Sequence, residues 1–166
     1  MDTLSKEQRS LNMSKIHSFD TKPEILVRRY LFANGFRYRV NVKSLPGTPD
    51  IVLRKYRTVI FIHGCFWHRH ECMKGKLPKT NTEFWEQKFR KNQERDISVR
   101  EKLKQLGWNT LIVWECQLKP TVREQTLKEI AYLLNKSQLK ILHHRYQIYE
   151  EPIRIAAEEP AKYGLD

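Results

Sequence analysis

The sequence has few cysteines, no long apolar run and no repeated or low-complexity segment, and these shortages exclude several protein classes. Three cysteines in 166 residues is a small and odd number, which argues against a disulfide framework and favours metal ligation inside the cell. No stretch approaches the ~20 apolar residues of a membrane span. The start, MDTLSKEQRS, lacks an apolar run after basic residues, so no signal peptide is expected. We therefore expect a soluble, cytoplasmic domain.

Acidic residues are also scarce relative to basic ones. The chain has 31 Lys and Arg residues against 19 Asp and Glu residues, giving a net charge of +12. Such a charge on a small domain favours a polyanionic partner, because each neutralised phosphate releases counterions. A membrane surface fits less well, since no strongly basic amphipathic helix with a broad apolar face is seen. Nucleic acid is the favoured partner, and a basic surface kept for solubility is the plainer alternative.

Helix-like and strand-like segments alternate along the chain, which predicts an α/β domain with a mixed central sheet. Thr21, Pro23 and Glu24 form a capping-box pattern at the start of a helix that Gly35 stops. Strands are predicted at 36–41, directly after Asp50, at 58–62 and at 109–116. Further helices are predicted from about 83 to 106, with Thr82 as N-cap and Gly107 as stop, and at 121–136. We divide the chain into an N-terminal arm (1–20), a main domain (21–138) and a C-terminal extension of unknown role (139–166).

The stretch HGCFWHRHEC at 63–72 is dense in metal-ligating side chains. Cys65, His70 and Cys72 give the spacing C-x4-H-x-C, and Cys116, at the end of another predicted strand, can complete a set of four. Three thiolates and an imidazole suit a closed, structural zinc site with no open position for catalysis. Spacing alone does not decide among His63, His68 and His70 as the ligand. Three buried free cysteines are the plainer alternative.

Asp50 ends the turn LPGTPD and precedes a strand, which is the layout of a PD-(D/E)xK nuclease core. A carboxylate there can hold Mg²⁺ against a phosphate, although an ordinary turn Asp is the alternative. The acid-x-Lys element of such cores falls on Phe61-Ile62-His63, where no acid is present. The backbone carbonyl of Ile62 is therefore expected to contribute to the metal site. His63 or His68 then serves as a general base or holds a water molecule.

Two further acids have both structural and functional interpretations. Glu24 either caps its helix or lies behind the metal site, and both can hold if the helix begins at the site. Asp96 is either a solvated helix residue or the group that orients His68. Its spacing favours the body of the protein, because it lies on one helical stripe with five other residues. These are Trp85, Phe89, Asn92, Val99 and Leu103.

Phe66 and Trp67 lie within the predicted zinc loop, which has little room to bury two aromatic rings. Exposed aromatics beside positive charge suit insertion between base pairs, and packing over the zinc site is the alternative. Met13 in the arm is a candidate second wedge. We also expect Asn92 to contact DNA.

Five stretches together resemble the very short patch repair (Vsr-type) mismatch endonucleases. They are NMSKIHSFDTKPE, LPGTPDIVL, VIFIHGCFWHRHEC, NTEFWEQKFRKNQERD and LIVWEC, and they cover about residues 1–118 in order. The resemblance implies a restriction-endonuclease-like fold of the PD-(D/E)xK type in a bacterial protein. It also implies nicking of the T-containing strand of double-stranded DNA at a T:G mismatch, with catalytic Mg²⁺ and structural Zn²⁺.

The resemblance also assigns roles to matching positions. It implies that Asp50 and the Ile62 carbonyl hold Mg²⁺, that Glu24 and His63 position water and phosphate, and that His68 is the general base supported by Asp96. It implies zinc ligation by Cys65, His70, Cys72 and Cys116, which selects among the histidines. It implies wedge roles for Phe66 and Trp67 from the major groove, and for Met13 from the opposite side.

The resemblance leaves some questions open. Trp85 lies in one of the matched motifs, but its role is left open. The flanking recognition sequence does not transfer, and residues 139–166 have no matched motif. A monomer is expected, since one nick needs one active site, and other DNA repair proteins are considered as further partners. The rival functions are a restriction- or homing-type nuclease that cuts matched DNA and a zinc-stapled DNA-binding module without catalysis.

Overall fold

A computed structural model describes residues 5, 7, 8, 11, 14 and 19–146 of the chain, with side chains up to residue 142. From residue 19 onward the elements alternate as the sequence predicts. They are α1 (Lys22–Ala33), β1 (Ile51–Leu53), β2 (Thr58–His63), α2 (Thr82–Gln105), β3 (Asn109–Trp114) and α3 (Arg123–Tyr146). The predicted wedge residue Met13, most of the arm and residues 147–166 lie outside the described residues.

The sheet has the order β1-β2-β3, with an antiparallel β1–β2 pair and a parallel β2–β3 pair. The expected mixed sheet and the central position of the 58–62 strand are therefore confirmed. A tight turn joins β1 to β2, and Arg57 takes the left-handed conformation there. The parallel pair needs a crossover, and α2 lies within it. The carboxyl ends of β2 and β3 meet at one edge, where His63 pairs with Trp114.

The predicted caps are present at both ends of α1 and at the end of α2, where Gly107 takes a positive φ of 72°, but not at the start of α2. The Thr21 side chain accepts from the Glu24 N–H at 3.5 Å, and Gly35 takes a positive φ of 83° after the helix. Thr82 was expected to cap α2, but Asn81 is the N-cap and Thr82 is the first helical residue. Asn81 adopts the left-handed conformation, which asparagine tolerates better than threonine.

Three predicted boundaries are wrong. Residues 36–41 form only an isolated bridge between Arg39 and Val52, because Asn41 turns the chain with a positive φ of 48°. The 109–116 strand ends at Trp114, and residues 115–118 form a short 3₁₀ turn that carries Cys116. Helix α3 continues past its predicted end at 136 to Tyr146, because no glycine or proline interrupts it.

The alternating side chains of the strands form two apolar clusters on opposite faces of the sheet. One face packs Ile51, Leu53, Ile60 and Val113 against α1 and α3. The other packs Val52 and Val59 against Leu103 of α2. No helix in the described part of the chain is both long and apolar enough to cross a membrane. The sheet edge that bears His63 and Trp114 thus lies between helices anchored on both faces.

Candidate active site and metal centres

A cavity of about 1000 Å³ opens beside the carboxyl end of β2. The walls come from the start of α1, the loop before β1, the end of β2 with its following loop, and one face of α2. This cavity brings together all five residues predicted to be catalytic, with several basic side chains. Its lining includes Glu24, Lys43, Asp50, Ile62, His63, Trp67, His68, Lys88, Asn92, Arg95, Asp96 and Arg100.

Asp50 lies immediately before β1 and faces the neighbouring strand. Its Oδ2 accepts a hydrogen bond from the Ile62 N–H at 2.7 Å, which fixes the carboxylate against β2. Burial raises the pKa of Asp50 to about 6, although the Ile62 bond opposes this shift. The charge on Glu24 raises the same pKa and that on Arg28 lowers it. The carboxylate therefore lies where a neighbouring cation would stabilise its ionised form.

Glu24 is buried and belongs to a network at the start of α1. Its Oε1 accepts from the Thr21 hydroxyl at 2.7 Å, and its Oε2 accepts from the Asp20 N–H at 3.0 Å and from Arg28 at 2.8 Å. Arg28 also pairs with Asp20. Glu24 thus caps the helix and lines the cavity, as the two interpretations together require. The sequence reasoning missed Arg28, whose only signal was its spacing of four residues from Glu24.

His63 and His68 stack face to face, with ring centroids 3.7 Å apart and planes 11° apart. His68 Nδ1 donates to a carboxylate oxygen of Asp96, which leaves Nε2 as its second ring nitrogen. His63 Nδ1 is buried and has no hydrogen-bond partner among the described residues. Burial, together with the neighbouring His68, lowers the pKa of His63 to about 4, so its ring is neutral near pH 7. The predicted contact between Asp96 and His68 is present.

Cys65, His70, Cys72 and Cys116 form a second cluster, in which the candidate ligand atoms all lie within 4.8 Å of one another. The Cys116 Sγ is 3.5 Å from His70 Nδ1. Zinc bonded to sulfur at ~2.3 Å and nitrogen at ~2.05 Å in a tetrahedron separates those atoms by about 3.6 Å. This geometry fits a tetrahedral metal ion, and the histidine it includes is His70.

The thiols of this cluster have contrasting environments. Burial raises the pKa of the Cys65 thiol to about 12, whereas contact with His70 lowers the pKa of Cys72 to about 6. A bound cation would offset the cost of a buried Cys65 thiolate. The turn at Gly75 brings the backbone close to His70. Only glycine fits at this position, because a Cβ there would overlap the carbonyl oxygen of His70.

Phe66 and Trp67 are half-buried against α2, so they are less exposed than the wedge hypothesis assumed. The Phe66 ring meets the rings of Trp67, Trp85 and Phe89 edge-on at 5.0–5.3 Å. Phe89 is fully buried, and Phe84 at the helix start is 61% exposed. The sequence missed this aromatic cluster because Trp85 and Phe89 are distant in the chain from Phe66.

Asn92 is buried in the wall of the cavity and supports the loop after β2. Its side-chain N–H donates to the Trp67 carbonyl at 2.8 Å. The same residue lines the cavity, so its predicted contact with DNA stays a prediction.

Comparison with known proteins identifies the family. The chain is 49% identical over 118 residues to the DNA mismatch endonuclease Vsr of Escherichia coli, an alignment that covers 71% of this chain and 76% of that protein. This chain belongs to the Vsr family. A family model described as DNA mismatch endonuclease Vsr also matches residues 1–74. The resemblance inferred from the sequence motifs is confirmed.

Other Vsr-like relatives carry the name of nicking enzymes. The type II nicking enzyme V.NmeAIP of Neisseria meningitidis serogroup A is 56% identical, over 71% of this chain and 84% of that protein. The type II nicking enzyme V.XorIIP of Xanthomonas oryzae is 44% identical, over 70% of this chain and 86% of that protein. Vsr membership makes the chain a DNA mismatch endonuclease with a nuclease fold, and such nucleases use a divalent metal.

Proposed function

We propose that this chain hydrolyses one phosphodiester bond in the T-containing strand of a T:G mismatch, with Mg²⁺ at Asp50. The observation that carries the proposal is the shared cavity of Asp50, His63, His68 and Asp96. Asp50, the proposed metal-binding carboxylate, and His68, the proposed base, both line this cavity, which supports the proposal. The E. coli relative is named a mismatch endonuclease, which supports the substrate.

The residues at the cavity fit a divalent cation on two observations. The Asp50 carboxylate has a pKa raised by burial, which a cation would reverse. The buried His63 Nδ1 lacks a partner among the described residues, so unused hydrogen-bonding capacity is left beside the cavity. Oxygen ligands such as Asp50 and the Ile62 carbonyl suit Mg²⁺, and the bound ion supplies stabilisation of the charge that develops on phosphate.

The chain's own residues then account for proton transfer. Asp96 accepts from His68 Nδ1, which orients the imidazole and leaves Nε2 as the basic atom. His68 Nε2 removes the proton of the attacking water. The water oxygen bonds to phosphorus as the bond to the 3′ oxygen breaks. The 3′ oxygen takes a proton from solvent, leaving a 5′-phosphate and a 3′-hydroxyl. Glu24 and His63 position the water and the phosphate.

The cluster of Cys65, His70, Cys72 and Cys116 is proposed to hold zinc. Three thiolates and one imidazole fill a tetrahedron, so no position remains for substrate. The expected role is structural, since the loop from 64 to 76 has only a short 3₁₀ turn of regular structure. The wedge role of Phe66 and Trp67 depends on this loop keeping its shape.

The cavity surface fits a DNA backbone. Lys43, Lys88, Arg95 and Arg100 are exposed and line its rim. Phosphates of a strand entering the cavity would meet these cations. A T:G step stacks less well than a matched one, so insertion of aromatics from the nearby cluster costs less there.

The deciding experiment is a nicking assay on duplexes labelled on one strand. A T:G duplex and its T:A counterpart, in varied flanking sequences, are incubated with Mg²⁺ or with EDTA. We expect nicking only of the T strand of the mismatch and only with metal. Equal cutting of both duplexes would instead favour a restriction-like nuclease. Absence of cutting in every context, with DNA still bound, would favour a binding module.

A substitution separates chemistry from binding. Asp50→Ala should abolish nicking while DNA affinity and zinc content stay unchanged, because Asp50 is not a member of the Cys/His cluster. A matched control is Glu94→Ala, which removes an exposed carboxylate that does not line the cavity. Loss of folding together with activity in Asp50→Ala would contradict the proposed role.

A further inference from the structure

We propose that Trp114 is a positioning residue that holds the stacked His63–His68 pair in register with the Cys/His cluster. The proposal rests on the proposed function for the roles of these histidines. The indole lies between the two groups of candidate ligands. Its ring stacks on His70 with centroids 4.2 Å apart and planes 22° apart. It meets His63 edge-on at 5.4 Å and His68 edge-on at 6.4 Å.

The backbone around Trp114 is fixed by regular structure. Trp114 is the last residue of β3 and pairs with His63, the last residue of β2. The backbone N–H of Trp114 donates to the side-chain oxygen of Gln117 at 2.9 Å. Cys116 follows two residues later, so the end of one strand supplies both the indole and a member of the cluster. A fixed backbone makes the indole a rigid reference for the rings on either side.

His63 needs such a reference because, within the described part of the chain, packing rather than hydrogen bonding orients its ring. Its Nδ1 is buried without a partner among the described residues. The contacts of its ring are the stack on His68, the edge of Trp114 and a tilted contact with Phe61 at 6.0 Å. The contact between His63 and Trp114 has the edge-to-face arrangement that aromatic pairs prefer. Packing against Trp114 therefore sets the plane of His63, and His63 in turn supports His68.

The expected effect of removing the indole is on catalysis rather than on substrate binding. Trp114→Leu retains an apolar side chain but offers no ring to His63 or His70. A misplacement of about 1 Å costs on the order of 100-fold in rate. We expect kcat to fall about 10- to 100-fold, with KM changed by less than about twofold. Trp114→Phe keeps an aromatic ring and should recover most of the rate.

The test uses the full-length, zinc-loaded protein and includes a structural measurement besides DNA cleavage. The nuclear Overhauser effect between the ring protons of His63 and His68 reports their stacking directly. Neither ring belongs to Trp114, so removing the indole does not by itself abolish this signal. Trp108→Leu is the matched control, because Trp108 packs on the second apolar cluster at the other end of β3. Zinc content and thermal unfolding are measured for every variant.

We expect Trp114→Leu to lose the His63–His68 effect and the rate, while Trp114→Phe and Trp108→Leu keep both. Retention of the effect in Trp114→Leu would overturn the proposal whatever happens to the rate. Loss of the effect without loss of rate would overturn it as well. Should Trp114→Leu fail to fold or to bind zinc, Trp114→Phe decides, since a folded variant that lacks the effect contradicts the proposal. If wild type keeps the effect but cuts no mismatch, the proposed function fails independently.

Discussion

Replacing Asp96 by Asn tests the contact that orients the proposed general base. The change removes the charge that accepts from His68 Nδ1 and leaves a side chain of nearly the same shape. The Asp96 side chain is only 16% exposed, so solvent screens the lost interaction weakly. A hydrogen bond to a charged group contributes about 1.5–3 kcal/mol. Each ~1.4 kcal/mol is tenfold in rate, so kcat should fall about 10- to 150-fold if the contact acts in the transition state.

The assay is single-turnover nicking of a T:G duplex with enzyme in excess, beside a DNA-binding titration. Glu94→Gln is the control, since it removes one negative charge from an exposed position of the same helix. Both variants raise the net charge of the protein by one. A general gain in DNA affinity from this charge therefore cancels when the two variants are compared. Wild-type rates in Asp96→Asn, or an equal loss in Glu94→Gln, would refute the reasoning. A large change in DNA affinity with unchanged kcat would also contradict it.

Four other outcomes test the metal cluster, the core and the cavity rim. Cys72→Ser should lower zinc content and the melting temperature, and a full zinc load would rule out Cys72 as a ligand. Gly75→Ala should weaken metal affinity about 10- to 100-fold in a chelator competition, because its Cβ overlaps the His70 carbonyl, and unchanged affinity would contradict this. Phe89→Ala should cost about 3–5 kcal/mol in urea unfolding, since the ring is fully buried, and a cost below 1 kcal/mol would argue against this packing. Arg100→Gln should reduce the slope of log affinity against log salt by about 0.9, and an unchanged slope would exclude a phosphate contact.

The features predicted well from sequence were those determined by local chemistry. The cap at Thr21 and the stop at Gly35 depend on neighbouring backbone groups, which residue type controls. The stripe of α2 follows from helical spacing, and Asp96 accordingly faces the cavity. The inclusion of Cys116 rested on two adjacent strand ends. The parallel pairing of β2 and β3 provides that adjacency.

The features that the sequence did not predict depend on contacts between distant residues. Residues 36–41 alternate like a strand, but only Arg39 pairs, because the positive φ of Asn41 turns the chain away. Arg28 carries no motif, yet it joins Asp20 and Glu24 beside Asp50. A basic residue on an amphipathic helix is usually solvated, so only the packing of α1 on the sheet reveals its burial.

The loop from 64 to 72 illustrates why the chemistry of the site was easier to predict than its shape. Its composition identifies metal ligands and aromatic rings, because thiol, imidazole and indole each have few roles in such density. No periodic pattern in the sequence predicts the conformation of this loop, because three separate tertiary contacts determine it. Asn92 holds the Trp67 carbonyl, Phe66 packs on Phe89, and His70 stacks on Trp114. The candidate base His68 lies between these contacts, so its position relative to Asp50 depends on α2 and β3 rather than on the spacing of the motif.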